Sequence, residues 1–380
     1  MPARVTVVGA GIAGAATAFA LARRGAVVTI IDNGATGQAT AAGAGIIAPW
    51  GSSSDDPSYD LAAAGAAFYP RLLDQLADAG VTRTDYRRTG ALYVHRDPGV
   101  LDHAEQRIRP RVAAAGAIAG EVHRLDPGTT RASFPVLAED LHGILITGGG
   151  RVDGRTLQDG MLHGAQRLGA VLVRGHADLQ EARERGRPAA TVHVDGRPVE
   201  SDAVVIAAGV WTNHLLGALG LAIPVEPQRG QITHLRLQGV DTSTWPTVHP
   251  LSHHYLVAFD AGRVVAGATR ETGSGFDPRV TAAGQVQVLE DALGIAPGLA
   301  DATVIETRVG LRPLPEHLPV VGPLPGYGDV YVASGYGATG LTMGPLLGDA
   351  LARAILGEPA PELTPWSRPD TPGSREQAPR

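Results

Sequence analysis

The chain has 380 residues, 44% of them hydrophobic and 18% charged, with 32 basic side chains against 38 acidic ones and a net charge of −6. That composition describes a globular protein long enough for two domains, and its scattered basic residues offer no face to nucleic acid. With no cysteine and no lysine, disulfides, thiolate nucleophiles, iron–sulfur clusters, thioether-linked flavin, Schiff bases and P-loop chemistry are excluded, and nothing calls for a metal.

The first stretch, Arg4 to Asp32, reads RVTVVGAGIAGAATAFALARRGAVVTIID. Val5, Val7 and Val8 predict a short buried parallel strand. Gly9, Gly11 and Gly14 follow in the order G-x-G-x-x-G, then an Ala-rich helix over 15–24 and a second strand over 27–31 that ends on Asp32. Gly9 allows the sharp turn, Gly11 a close approach of backbone to a pyrophosphate, and Gly14 tight helix–sheet packing. The N–H groups at the helix start, Ile12 and Ala13 among them, carry the positive dipole end toward phosphate, and the Asp32 carboxylate can accept from ribose hydroxyls. Strand, turn, helix, strand and acid in this order predict an adenine dinucleotide site. The motif leaves NAD and FAD equally open.

No signal-peptide pattern precedes this strand and no run of about 18 apolar residues could span a membrane, so a cytoplasmic location is expected. From Asn33 through Thr40, Ala41 and Ala42 to Gly51 the chain is dominated by Gly and Ala. Such a segment can run close to a bulky flat ligand such as a flavin. Residues 59–80 have helical spacing, with Leu61, Phe68, Leu72, Leu73 and Leu76 on a core face. A strand over 84–94, a helix over 99–119 and turns with a strand over 121–145 begin a second domain. A helix over 151–170 capped near Asp153, a strand, an acidic Arg-rich turn and two short strands lead to SDAVVIAAGVWT (201–212), whose small end at Ala208 and Gly209, with Trp211 just beyond, lets a dinucleotide approach. Alternating strands and a helix near 281–293 complete the second domain, a Pro-stiffened segment surrounds GLRP, and a strand, the loop from Tyr336 and a helix from Leu341 close the fold.

Five stretches now occur in order: GAGIAGAATAFALARRG, AAGVW near 209, GLRP at 310–313, LPVVGP at 318–323 and ASGYGATGLTMGP at 333–345. Together they resemble the FAD-dependent D-amino-acid oxidase family, which includes glycine and sarcosine oxidases and bacterial D-amino-acid dehydrogenases; the closing GYGATGLTMG looks most like the dehydrogenase branch. The resemblance covers nearly the whole chain and argues for FAD, held non-covalently because no cysteine exists. It implies an α/β fold: a Rossmann-type FAD-binding domain (1–80, 148–220 and 306–360) with a discontinuous α+β substrate domain (81–147 and 221–305) on a mainly antiparallel sheet. A disordered tail is expected at 361–380.

In such proteins Gly9, Gly11, Gly14 and Asp32 would hold the ADP half, and Ala177 and Asp178 would place backbone against adenine. Ala42, Gly43, Ala44, Gly45 and Ile46 would line the isoalloxazine. Gly335, Tyr336, Gly337, Ala338, Thr339, Gly340, Leu341 and Thr342 would bring backbone N–H groups to its pyrimidine edge, where a helix start stabilises the reduced ring. Arg312 matches the arginine that pairs with the substrate carboxylate, a task suited to a two-pronged guanidinium. Tyr255 and His253 match cavity positions of glycine-oxidase-like members. Some oxidases carry a second arginine where Ala338 stands here. Arg270 falls where relatives have an apolar pocket residue, and either extends the pocket charge or pairs with Glu271 or Asp277. The implied reaction is oxidation of an amino acid Cα–N bond, with N-methylated or cyclic amino acids as alternative substrates and a non-catalytic flavin module as the alternative of another class. Oxygen versus quinone as acceptor, and a homo-oligomer, stay open.

Overall fold

A computed structural model describes residues 1–52, 58–184 and 187–363. Its first sheet has six strands in the spatial order Val320–Pro323, Val330–Ser334, Ala203–Ile206, Arg4–Val8, Val27–Asp32, Val171–Arg174. All neighbours run parallel except the first pair. The β-branched strand Arg4–Val8 sits inside this sheet because both its faces are covered. Val5 and Val7 pack toward the helix Ile12–Arg23, and Val8 packs on the opposite side with Ile31, Ile206 and Val332. That second side is closed by a three-stranded meander, Ala177–Glu184, Arg187–Val194 and Arg197–Val199, through Leu179 and Val192. The acidic Arg-rich turn expected here falls between the first two of these strands, and its residues 185 and 186 lie outside the described residues.

Helix Ile12–Arg23 is buried over nearly its whole length, against the helices Gly154–Arg167 and Gly340–Ile355. Small residues make that approach feasible: a β-carbon on Gly348 would lie 2.5 Å from Ala16 Cβ, and one on Gly14 only 1.8 Å from the Gly9 carbonyl oxygen. Phe19 and Leu21 then bury fully, each worth roughly 1.5–3 kcal/mol. Asp153 caps Gly154–Arg167 as expected, its carboxylate accepting from the Arg155 and Thr156 amides. Residues 59–78 form the expected helix, with Leu61, Phe68, Leu72 and Leu76 buried and Leu73 half-buried.

The second sheet has nine strands and is antiparallel apart from one pair, Thr247–His249 beside Ala91–His95. Its longest pairing joins Val225–Arg236 to Thr303–Pro315, from Val225 opposite Pro315 to Arg236 opposite Thr303. Two expectations change here. Residues 306–315, assigned from sequence to the dinucleotide-binding side, are a strand of this second sheet; and Arg312 stands in that strand, not between two Pro-stiffened turns. Pro313 and Pro315 are tolerated because Thr303–Pro315 is an edge strand, where a missing N–H breaks no ladder bond. A helix at Pro127–Ser133, capped by Asp126, replaces some of the turns expected over 121–145.

Of the expected disordered tail, Pro361–Leu363 form a short 3-10 turn, with Leu363 buried and Glu362 paired to Arg353 at 2.8 Å. The remainder, 364–380, lies outside the described residues. Among the described residues no helix is long and apolar enough to cross a membrane.

Candidate active site

The carboxyl ends of the first sheet's strands open into a cavity of about 350 Å³ that continues to the second sheet. At one end stands Asp32, last residue of its strand and 8% exposed. Its carboxylate accepts from the Ala10 amide at 2.8 Å and the Gly34 amide at 2.7 Å. Gln38 Nε2, from a cavity-lining residue, reaches it at 3.2 Å, and the exposed Arg174 Nη1 reaches it at 3.3 Å. Those two longer side-chain contacts are ones that ribose hydroxyls can take over, since a carboxylate offers about four lone-pair positions. Gly9 has φ of +103°, and a β-carbon there would fall 2.4 Å from the Ala207 carbonyl oxygen, so only glycine permits this turn. Gly11, Ile12 and Ala13 then present the start of the first helix to the cavity, where backbone N–H groups have no intrahelical acceptor. The Ile12 amide donates to Thr40 Oγ1 at 2.9 Å, which ties the Gly/Ala-rich segment to the phosphate turn.

That segment, from Ala42 to Ile46, forms the next part of the wall. Opposite it lie Tyr336, Gly337, Ala338, Gly340, Leu341 and Thr342, where the last helix begins at Gly340. Thr342 Oγ1 donates to the Ile46 carbonyl at 3.1 Å, which fixes the two walls to each other, and the Tyr69 hydroxyl of the helix 59–78 braces the Leu341 carbonyl at 2.6 Å. A β-carbon on Gly43 would come 2.7 Å from Leu341 Cδ1. This is a narrow slot with small-residue walls and a helix start aimed into it, preceded by a phosphate turn and a buried acid. A flat ring, a chain and an ADP group in that order, as in FAD, fit it.

Beyond the slot, His253, Tyr255, Arg270 and Arg312 line the same cavity. Arg312 Nη1 donates to the Thr269 carbonyl at 3.1 Å and to Gln228 Oε1 at 3.4 Å, both neutral acceptors. Gln228 is held in turn by Thr272 Oγ1 at 3.0 Å. Gly230, in the adjoining strand, leaves room for the guanidinium: a β-carbon there would lie 2.4 Å from both terminal nitrogens of Arg312. Burial raises the Tyr255 phenol above its ordinary range, only partly offset by the nearby Arg312 and Arg270 cations, so it stays a neutral donor. Arg270 is partly solvent-facing; burial of the rest of its side chain and the charge of Arg312 lower its pKa. Of its two open readings, pairing with Glu271 or Asp277 is not found among the described residues. Arg229 takes both acids, at 2.6 and 2.8 Å, because its own side chain is the more enclosed one between them. Among the described residues neither Arg270 nor Arg312 has an acidic partner, and Asp32 at the far end is the one carboxylate among the lining residues.

Most residues singled out from sequence thus meet in one cavity, including Asn33, Ala177, Ala208, Gly209 and Trp211. Five do not line it. Gly14 is used for packing against Gly9, as its spacing implied, and Thr339 bonds back to the Tyr336 carbonyl. Gly335, at φ +78°, turns the chain beneath the loop, and the Ala41 carbonyl is engaged by Arg308. Asp178 is exposed and faces away, because the strand alternation that turns Ala177 to the cavity turns its neighbour out. His176, Gln38, Gly230, Ala268, Gly310 and Leu311 line the cavity and were not anticipated. The glycines gave no local signal, since their roles depend on side chains distant in sequence.

Fold and cavity define a dinucleotide-dependent oxidoreductase whose cavity ends at two guanidiniums, Arg270 and Arg312. Residues 4–354 match the DAO family of FAD dependent oxidoreductases, and the chain belongs to that family. The crystal structure of iminodiacetate oxidase from Chelativorans sp. BNC1 superposes with a TM-score of 0.92 at 48% identity, covering 96% of this chain and 98% of the other. Glycine oxidase from Pseudomonas putida is 29% identical, over 91% of this chain and 92% of the relative. D-amino acid dehydrogenase from Methylobacterium nodulans is 31% identical, over 95% and 96% respectively. FAD is therefore the dinucleotide, which settles the choice that the first motif left open.

Proposed function

We propose that the protein oxidises the Cα–N bond of an amino acid that carries a second carboxylate, with the N-carboxymethylglycine skeleton of iminodiacetate as the simplest case. The observation that carries this reading is the pair Arg270 and Arg312, two guanidiniums at one end of a cavity without an acid to neutralise either. A monocarboxylate would leave one of them uncompensated in a partly dehydrated pocket; a dicarboxylate satisfies both. The 48% identity to a protein described as an iminodiacetate oxidase supports the same class.

Arg312 would grip the carboxylate on the carbon to be oxidised, positioned by Gln228 and the Thr269 carbonyl. The neutral Tyr255 phenol can donate to that carboxylate from the side. Arg270 would take the distal carboxylate. FAD held in the slot would supply the acceptor for a hydride, which carries both electrons away from the substrate carbon. Loss of the nitrogen proton leaves a C=N bond, which water cleaves to a 2-oxo acid and an amine; iminodiacetate would yield glyoxylate and glycine. No paired carboxylates occupy this end, so positioning and charge complementarity carry the catalysis and not general-base transfer by an acid side chain.

The test is anaerobic flavin bleaching with iminodiacetate, sarcosine, glycine and D-alanine. Iminodiacetate should reduce the flavin at least about tenfold more efficiently than sarcosine, and Arg270→Gln should close that gap while leaving sarcosine nearly unchanged. Equal rates for sarcosine and iminodiacetate in the wild type would defeat the dicarboxylate assignment and leave a monocarboxylate amino acid as substrate.

A further inference from the structure

A second cavity, of about 490 Å³, lies away from the flavin slot and shares no lining residue with it. Its walls come from the segment 82–87, from Arg151 and from the turn carrying Phe259, Asp260 and Arg263. Four arginines, 83, 87, 151 and 263, face two aspartates, 85 and 260, so the lining carries an excess of two positive charges.

Counting Asp153 behind Arg263, the ion pairs leave an excess of one positive charge. Asp260 is shared, one oxygen 2.9 Å from Arg87 and the other 2.7 Å from Arg151. Arg263 reaches Asp153, 3.0 Å away at the helix cap, and Arg83 meets Asp85 only at 3.6 Å. Arg151 is 2% exposed and its Nε has no hydrogen-bond partner among the described residues. Its guanidinium and that of Arg263 both lie over the Phe259 ring, at 4.6 and 3.9 Å, which crowds two cations onto one aromatic platform. Burial lowers the Arg151 pKa, the hydrogen bond and charge of Asp260 work against that, and Arg87 and Arg263 lower it by smaller amounts. A buried, incompletely satisfied guanidinium beside like charges is expensive; the Asp260 carboxylate, split between Arg151 and Arg87, offsets part of that cost, and a further anion in the space would lower it again. Two threonines and Tyr86 add neutral groups to the same wall.

We infer that this cavity is a binding site for a small dianionic phosphate group, free or carried on an organic molecule, held by Arg83, Arg87, Arg151 and Arg263. Such a group offers several acceptor oxygens to planar guanidinium forks and competes with the Asp260 carboxylate for the same donors.

The experiment is thermal unfolding of the FAD-loaded protein against sodium phosphate, with sodium chloride at matched ionic strength as reference and glycerol 3-phosphate as a second arm. Phosphate should raise the midpoint saturably, where chloride does not. A larger shift with glycerol 3-phosphate identifies an organic phosphate as the occupant, and equal shifts identify free phosphate; both support the site. In Arg83→Gln/Arg87→Gln the apparent phosphate dissociation constant should rise about tenfold or more. In Asp260→Asn, which removes the competing carboxylate, it should fall. Both variants should keep full flavin content, since none of the three positions lines the flavin slot. A phosphate response equal to that of chloride, one unchanged in both variants, or one weakened by Asp260→Asn would overturn the inference and leave the cluster as an ion-pair network alone.

Discussion

Gly230→Ala should disable the site without unfolding it. A β-carbon at 230 would lie 2.4 Å from both terminal nitrogens of Arg312 and 2.5 Å from its guanidinium carbon. Ordinary contact requires about 1 Å more, so one partner must move. The backbone is the stiffer one: Val225–Arg236 is paired on one side with Thr303–Pro315 and on the other with Arg263–Gly267. The guanidinium is the end of a flexible side chain held by neutral contacts, to the Thr269 carbonyl at 3.1 Å, to Gln228 at 3.4 Å and to the Tyr255 hydroxyl, each worth about 1 kcal/mol. It should yield, by roughly 1 Å. A displacement of that size in a positioning group costs on the order of a hundredfold in rate, or about 2.7 kcal/mol.

Stopped-flow flavin reduction under anaerobic conditions should therefore show kcat/KM down about a hundredfold, with FAD content unchanged and the unfolding midpoint within a few degrees of wild type. Because the loss acts through Arg312, Gly230→Ala should add almost nothing in an Arg312→Ala background. Near-wild-type reduction by Gly230→Ala would refute the reasoning, as would full additivity in the double variant.

Arg312→Ala should keep flavin bound yet lose two to four decades in kcat/KM, about 3–5 kcal/mol, and Arg312→Lys should recover part of it; near-wild-type reduction by the alanine variant would remove the anchor role. The yellow colour should leave the polypeptide on heat or acid precipitation, because no cysteine can tether FAD; colour retained in the pellet would mean another covalent link. Gly45→Ala should cost flavin binding and stability together, since φ is +82° and the new β-carbon would fall 1.7 Å from the Val152 carbonyl oxygen; a normally flavinated variant would contradict this. Burial lowers His234, His249 and His254 to about 4, with Arg308 and Arg263 adding to the effect at His234. Each is neutral when folded and takes up a proton on unfolding below about pH 6.5, so its contribution is present above that pH and lost as pH falls toward 4, on the order of 1–3 kcal/mol per histidine. Urea midpoints that stay flat between pH 7 and 4.5 would rule this out.

What was legible in the sequence was what local pattern dictates. Val5, Val7 and Val8 announced a strand buried on both faces, the glycine spacing announced the phosphate turn, and the apolar period of 59–78 announced a core helix. What was not legible depends on partners far along the chain. Thr303–Pro315 reads as a rigid loop because of its prolines, and only its position at a sheet edge reconciles them with a strand. Two readings of Arg270, extending the pocket charge and pairing with Glu271 or Asp277, were both open. They separate once Glu271 and Asp277 are seen to close on Arg229. Gly230 has no signal of its own, since what requires it is a guanidinium from another strand.

The same logic explains how a chain whose cations are all arginine can tell structure from recognition. Residue type carries no information here, because Arg229, Arg24 and Arg353 are the same chemical group as Arg312. Their partners differ. Arg24 and Arg353 both close on buried Asp349, at 2.9 and 3.1 Å, with Glu358 and Glu362 as their second acids, and Arg229 closes on two acids, so their charges are neutralised within the fold. Arg312 is oriented by an amide oxygen and a peptide carbonyl instead. Neutral acceptors fix the direction of the fork and leave its full positive charge for a ligand. An acidic residue in the place of Gln228 would hold the guanidinium more tightly and compete with the substrate carboxylate for it. The useful design is the weaker contact. Gln228→Glu should then raise KM far more than it lowers kcat, and a variant that instead bound substrate normally would show that Arg312 is not the group meeting the carboxylate.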